Sequence, residues 1–146
     1  APDVGGVERT RALSRRLNSS IAIIDKRRPT PGKSEVMNIV GNVKNKNCVI
    51  VDDIIDSGGT IVNAAQAIIN KGAKDVYVYI THAVLSGPAV ERIEKSKIKK
   101  LITTDTIDNS KKIKSSKKIE IISLAPMISE AMKRISNSTS VSSLFK

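Results

Sequence analysis

Apolar positions along the chain fall into two rhythms, helical and extended, and their order predicts the architecture. After a Gly5-Gly6 turn, Val7, Thr10, Leu13 and Leu17 mark one face of a short helix, with Arg9, Arg11, Arg15 and Arg16 on its other faces. Residues 21–24 read as a buried strand. Residues 26–33 (KRRPTPGK) then break the pattern with two prolines, a glycine and four cations, predicting a mobile basic loop. Residues 35–40 resume an extended pattern, and residues 41–47 form a polar turn. The continuous apolar run at 48–51 predicts a strand covered on both faces. Ile61, Ala64, Ala65, Ile68 and Ile69 follow at helical spacing, and Lys71-Gly72 supplies a cation and a glycine to end that helix. Residues 76–80 give the next strand. A strand–loop–helix–strand unit of this kind makes parallel neighbours.

Further on, Ser86-Gly87-Pro88 opens a helix containing Val90 and Ile93. Strands are expected at 101–102 and 119–124, separated by a polar loop. The last helix has Pro126 near its start and Ile128, Ala131, Met132 and Ile135 on its apolar face. A Ser/Asn/Thr-rich tail closes on Leu144-Phe145. The alternation predicts a single α/β domain over residues 1–146, a mostly parallel sheet flanked by helices.

Composition narrows the function classes. With 146 residues and 40% hydrophobic content, the chain suffices for one domain with a core. No apolar run reaches the roughly 20 residues that span a membrane, and no secretory cleavage pattern opens the chain. The net charge of +11 would suit nucleic acid. An aromatic content of 2% argues against it, because single strands are bound by stacking bases on aromatic rings. Cys48, the only cysteine, is expected to be a small buried residue, compatible with a reducing cytoplasm. The opening Ala1-Pro2-Asp3-Val4-Gly5-Gly6 lacks a methionine and reads as the start of a piece cut from a longer protein.

The stretch VIVDDIIDSGGTI, residues 49–61, carries the chemistry. In open parallel sheets, ligands sit beyond the carboxyl ends of the strands, where residues 52–60 are expected. Gly58 and Gly59 let the backbone turn tightly, and the helix beginning near Thr60 offers free N–H donors and a positive dipole end. Ser57 and Thr60 add hydroxyls. Together these make a phosphate site without the lysine of a Walker loop. Asp52 and Asp53, placed where the strand ends, would accept hydrogen bonds from a vicinal diol or hold magnesium. A ribose carrying a 5-phosphate satisfies both halves, with Asp56 turned towards the sugar.

This stretch resembles the signature of phosphoribosyl-diphosphate-binding proteins of the type I phosphoribosyltransferase fold. PDVGGVERTRAL (2–13), AIIDKRRP (22–29), SEVMNIVG (34–41), THAVLSGPA (81–89) and SVSSLF (140–145) resemble one branch of them, ribose-phosphate pyrophosphokinase. The resemblance implies diphosphate transfer from magnesium-ATP to ribose 5-phosphate, giving phosphoribosyl diphosphate and AMP for nucleotide biosynthesis. It assigns Asp52, Asp53, Asp56, Ser57, Gly58, Gly59 and Thr60 to the ribose-phosphate site. Asp3, Val4, Gly5 and Gly6 match the pyrophosphate loop, with Asp3 a ligand of Mg2+. Lys26 and Arg28 match catalytic cations of a mobile loop, whose fixed charges suit such a transfer. His82, the only histidine, matches a strand-end position with a structural role. The resemblance further implies a carboxy-terminal half without most of the ATP site, inactive alone, from a cytoplasmic homo-oligomer, a hexamer in the family. A phosphoribosyltransferase, or a non-catalytic regulatory subunit of the same fold, remains a competing reading.

Overall fold

Two aliphatic strands at the centre of the chain set the frame. The computed structural model describes residues 1–27 and 36–145. In order it holds α1 (Val7–Leu17), β1 (Ile23–Arg27), β2 (Val36–Val40), β3 (Asn47–Ile55), α2 (Gly59–Asn70), β4 (Asp75–Ala83), α3 (Ala89–Lys95), β5 (Ile98–Thr104), β6 (Ile119–Ile122), α4 (Ala125–Ser136) and a 3₁₀ turn (Ser142–Phe145). Strands β3-β4-β5-β6 lie side by side in chain order, all parallel. Parallel neighbours need crossovers, and α2 and α3 supply the first two. The expected α/β class holds.

The predicted stripe of α2 is the stripe that packs: Ile61, Ala64, Ala65 and Ile68 are buried. Small alanines let the helix lie close to Ile50, Val76 and Val78, which are at most 2% exposed. Each such aliphatic side chain contributes about 1.5–3 kcal/mol on burial. The helix stops where a cation and a glycine predict it. Gly72 adopts φ +90°, its N–H bonds Ile69 O at 2.8 Å, and Ala73 N–H bonds Ile68 O at 3.3 Å. That bond pair requires a left-handed residue after the helix, which glycine adopts without a Cβ clash.

Several expectations are corrected. The strand expected at 21–24 begins at Ile23 and runs to Arg27. It pairs antiparallel with β2 as a ribbon apart from the parallel sheet. Strand β3 is not covered on both faces, since Val49 is 40% exposed and Ile54 52%, and among the described residues it lies at the edge of the sheet. Cys48 is half-buried rather than buried. Helix α4 forms as predicted, with Pro126 in its first turn, but none of its residues is buried. Ile128, Met132 and Ile135 on its apolar face are all at least 50% exposed.

Candidate functional site

Strand β3 runs on to Ile55, so Asp52 and Asp53 lie inside it rather than at its end. Aspartate is poorly suited to a strand interior, and an edge strand tolerates it because one side stays open. Arg9 of α1 reaches both acids. Its Nη1 donates to Asp52 Oδ1 and its Nη2 to Asp53 Oδ2, each at 2.9 Å. The Asp53 N–H also donates to Asp52 Oδ1, at 3.0 Å. Desolvation raises the Asp52 carboxyl above the ordinary aspartate range, with Asp53 and Asp3 adding like-charge repulsion. Asp53 lies below that range: desolvation pushes upward, and the Arg9 charge with backbone N–H donors outweighs it. One acid is thus poised to take up a proton more readily than its neighbour.

The Asp3 loop stands close enough for its charge to reach Asp52. Asp3 Oδ1 accepts a hydrogen bond from Gly6 N–H at 2.9 Å, closing the turn that starts α1. Pro2 and Gly6 are buried, whereas Val4 and Gly5 are exposed. A Cβ on Gly6 would sit 3.3 Å from Pro2 Cδ, tighter than most real contacts.

The junction from β3 to α2 is held by its carbonyls. Ile55 O accepts from Val84 N–H at 2.9 Å, and Asp56 O from Ser86 N–H at 3.2 Å. Ser57 O accepts from the Arg92 guanidinium of α3. Gly58 is the N-cap of α2 at φ +75°, a conformation L side chains avoid, and no side chain caps the helix. The first turn of α2 carries no acid. Its N–H groups are therefore uncapped donors at the positive end of the dipole. Asp56, Ser57 and Thr60 are exposed beside them.

The remaining expected residues are scattered. The Lys26 backbone belongs to β1, opposite Met37, and not to a loop. Arg28 lies outside the described residues. His82 is exposed on β4, with Nδ1 3.0 Å from Thr106 Oγ1. Among the described residues no cluster of three or more His, Cys, Asp or Glu is arranged to hold a metal. That does not exclude Mg2+, which commonly binds through one or two carboxylates together with substrate phosphates. Asp3 suits that mode, since its Gly6 bond uses only Oδ1. No helix among the described residues is long and apolar enough to cross a membrane.

The chain as a whole is similar to known proteins. The profile of the phosphoribosyl synthetase-associated domain matches residues 6–146. The chain belongs to that family. The ribose-phosphate pyrophosphokinase of Clostridium tetani is 57% identical over 145 residues, covering 99% of this chain and 45% of that protein. Its counterpart from Bradyrhizobium diazoefficiens is 54% identical over 145 residues, covering 99% and 46%. The crystal structure of phosphoribosylpyrophosphate synthetase from Mycobacterium smegmatis superposes with a TM-score of 0.83 at 33% identity, over 94% of this chain and 44% of that one. The chain spans about half the length of the curated relatives it matches.

Two arginines escaped the sequence reading. Arg9 was visible only as part of the polar face of a helix, and its partners lie 43 and 44 residues away. Arg92 lies 35 residues from Ser57. No local pattern announces either contact.

Proposed function

We propose that this chain is the carboxy-terminal half of a ribose-phosphate pyrophosphokinase, one domain over residues 1–146 that forms the ribose 5-phosphate side of its active site. The observation that carries this reading is the β3–α2 junction. Charged acceptors on the strand are followed, six residues after Asp53, by an uncapped, glycine-started helix. The acids accept hydrogen bonds from the sugar hydroxyls, and the amides of residues 57–60 donate to the 5-phosphate. Arg9 partly neutralises the acid pair, so the phosphate is not repelled. Arg92 fixes the Ser57 carbonyl and turns the loop's N–H groups towards the ligand.

In the reaction, the ribose C1 hydroxyl oxygen bonds to the β-phosphorus of ATP. The bond from that phosphorus to the bridging α–β oxygen breaks, AMP departs, and the hydroxyl proton is released. This chain's part is positioning and charge stabilisation, which carry most of the catalysis in phosphoryl transfer. Asp3 would hold Mg2+ with the phosphates, and the ion would offset charge on the transferring group. Lys26 and Arg28 would bring fixed positive charge to the same group. The adenine and most of the ATP contacts belong to polypeptide outside this chain. In this reading the working protein is a cytoplasmic homo-oligomer, and the 146-residue piece binds sugar phosphate without turnover.

The test uses the full-length protein. ATP-dependent formation of phosphoribosyl diphosphate supports the reading. Consumption of phosphoribosyl diphosphate that depends on a nucleobase, without ATP-dependent synthesis, overturns it in favour of a phosphoribosyltransferase.

A further inference from the structure

The turn that leaves β4, residues 83–86, holds the β3–α2 loop from behind. Val84 N–H donates to Ile55 O at 2.9 Å, Leu85 N–H to the same oxygen at 3.4 Å, and Ser86 N–H to Asp56 O at 3.2 Å. Ser86 O accepts from Ala89 N–H at 3.2 Å and so opens α3, the helix whose Arg92 holds Ser57 O. That helix also lies against Gly58, where an added Cβ would come within 3.8 Å of Ile93 Cγ1 and 3.9 Å of Ala89 Cβ. The carbonyls of Ile55, Asp56 and Ser57 are thus all fixed by this turn and the helix it starts. A carbonyl and the N–H of the next residue share one rigid plane. Fixing these carbonyls therefore orients the N–H groups of Asp56, Ser57 and Gly58, at the mouth of the candidate phosphate site.

The turn is itself strained. Leu85 lies at φ +51°, a conformation that bulky side chains avoid, and it is 2% exposed. Such strain persists only where the surroundings over-determine the backbone. The restraint comes from the connection between β5 and β6. Asn109 Nδ2 donates to Ala83 O and, at 3.4 Å, to Ile107 O. Lys112 Nζ donates to Val84 O at 3.0 Å and reaches Leu85 O at 3.4 Å. Every carbonyl from Ala83 to Ser86 therefore has a donor. Asn109 is 2% exposed, and its Oδ1 has no partner among the described residues. The flipped amide would set two oxygens face to face, so Nδ2 is the atom at Ala83 O. An apolar side chain would fill the same space without an orphaned acceptor. What the amide adds over such a residue is its donor, and the donor is spent on the turn.

We propose that Asn109 and Lys112 are positioning residues of the sugar-phosphate site, acting through the 83–86 turn to hold the N–H groups of residues 56–58 ready for the 5-phosphate. The inference rests on the proposed function and extends its site to a second layer drawn from the β5–β6 connection. Asp52 and Asp53 precede the carbonyls that the turn holds, so the diol half of the site keeps its own support from Arg9.

The test measures ATP-dependent synthesis in the full-length protein. Asn109→Leu keeps the bulk and removes the donor. Lys112→Met keeps the stem and removes the ammonium. Lys111→Met, at an exposed neighbour, removes the same charge without the contact. The KM for ribose 5-phosphate is expected to rise about tenfold in Asn109→Leu and about threefold in Lys112→Met, because small misplacements remote from the chemistry weaken a site. The KM for ATP should hold in both, Lys112→Arg should recover most of the loss, and Lys111→Met should match the parent. A merely structural role would lower Tm and the active fraction with both KM values unmoved, and that result overturns the proposal. An equal rise in Lys111→Met also overturns it, by assigning the effect to net charge. If Asn109→Leu fails to fold, Lys112→Met and Lys112→Arg decide by the same measure. A parent protein that does not use ribose 5-phosphate overturns the proposed function and this inference with it. A parent that uses it, with variants indistinguishable from it, overturns this inference alone.

Discussion

Arg9 of the first helix holds Asp52 of the third strand at 2.9 Å, across 43 residues of intervening chain. This contact ties the glycine turn that opens the chain to the acidic strand that carries the candidate ligand site. It also sets the charge of that site, since the same guanidinium grips Asp53. Its effect on folding is small, because Arg9 and Asp53 are both exposed, and exposed ion pairs add little to stability. Its effect on an anionic ligand is larger.

Replacing Arg9 with Gln should therefore leave Tm within a few degrees of the parent. Calorimetry should show ribose 5-phosphate binding several-fold more weakly, with a shallower dependence on salt. Tighter binding would instead mean that Arg9 competes with the sugar for the acids.

Asp52→Asn and Asp53→Asn each remove a charged acceptor while keeping the shape. Hydrogen bonds to charged groups contribute about 1.5–3 kcal/mol, so each change should weaken ribose 5-phosphate at least tenfold at nearly constant stability. Unchanged affinity in both would remove the pair from the site.

Gly58→Ala places a Cβ on a residue at φ +75°. The space is adequate, since the nearest atoms, Ile55 Cδ1 and Ile93 Cγ1, would lie 3.8 Å away. Left-handed backbone costs about 1–2 kcal/mol for a residue with a Cβ. Thermal unfolding should show a fall in Tm of a few degrees. The strained loop should also bind phosphate esters less well, whereas Gly59→Ala, with ordinary backbone, should be milder in stability.

The two aspartates should titrate apart. Asp52 is raised by desolvation, so its folded-state carboxyl protonates above the free aspartate value of about 3.9. Sugar-phosphate affinity should fall as pH drops, starting on the alkaline side of that value, and the step should vanish in Asp52→Asn. That variant also separates it from titration of the phosphate itself, near pH 6. For stability the sign differs between the two. Asp53 is depressed in the fold, so its contribution is present above about pH 3.9 and lost as pH falls through its folded value. Asp52, raised in the fold, disfavours folding once ionised, and acidification relieves that penalty.

Much of this was legible in the sequence because local rules and tertiary context agree. The Ile61–Ile68 stripe, the Lys71-Gly72 stop and Gly58 all obey short-range physics. Asp52 and Asp53 were read as the end of a strand because aspartate is rare inside one. Only the sheet order, which leaves β3 at an edge, explains their place. The separate β1–β2 ribbon escaped because pairing partners are not encoded in either strand alone. The apolar face of α4 was legible, but its exposure was not: periodicity says which face is apolar and is silent on what meets it. Arg9 and Arg92 act on residues far along the chain, and only the fold brings them there.

On the proposed function, catalysis should separate from binding in the full-length protein. Lys26→Ala should lower turnover at least a hundredfold while leaving ribose 5-phosphate affinity within about threefold, as expected for charge that acts mainly in the transition state. Turnover that survives would remove Lys26 from the reaction.

The most direct measurement follows the amide resonances of this chain while ribose 5-phosphate is added. The account predicts saturable shifts at Ser57, Gly58, Gly59 and Thr60, together with the Asp52 and Asp53 carboxyl carbons, and none on the distant face of α4. Saturable shifts elsewhere with residues 52–60 unmoved would contradict it.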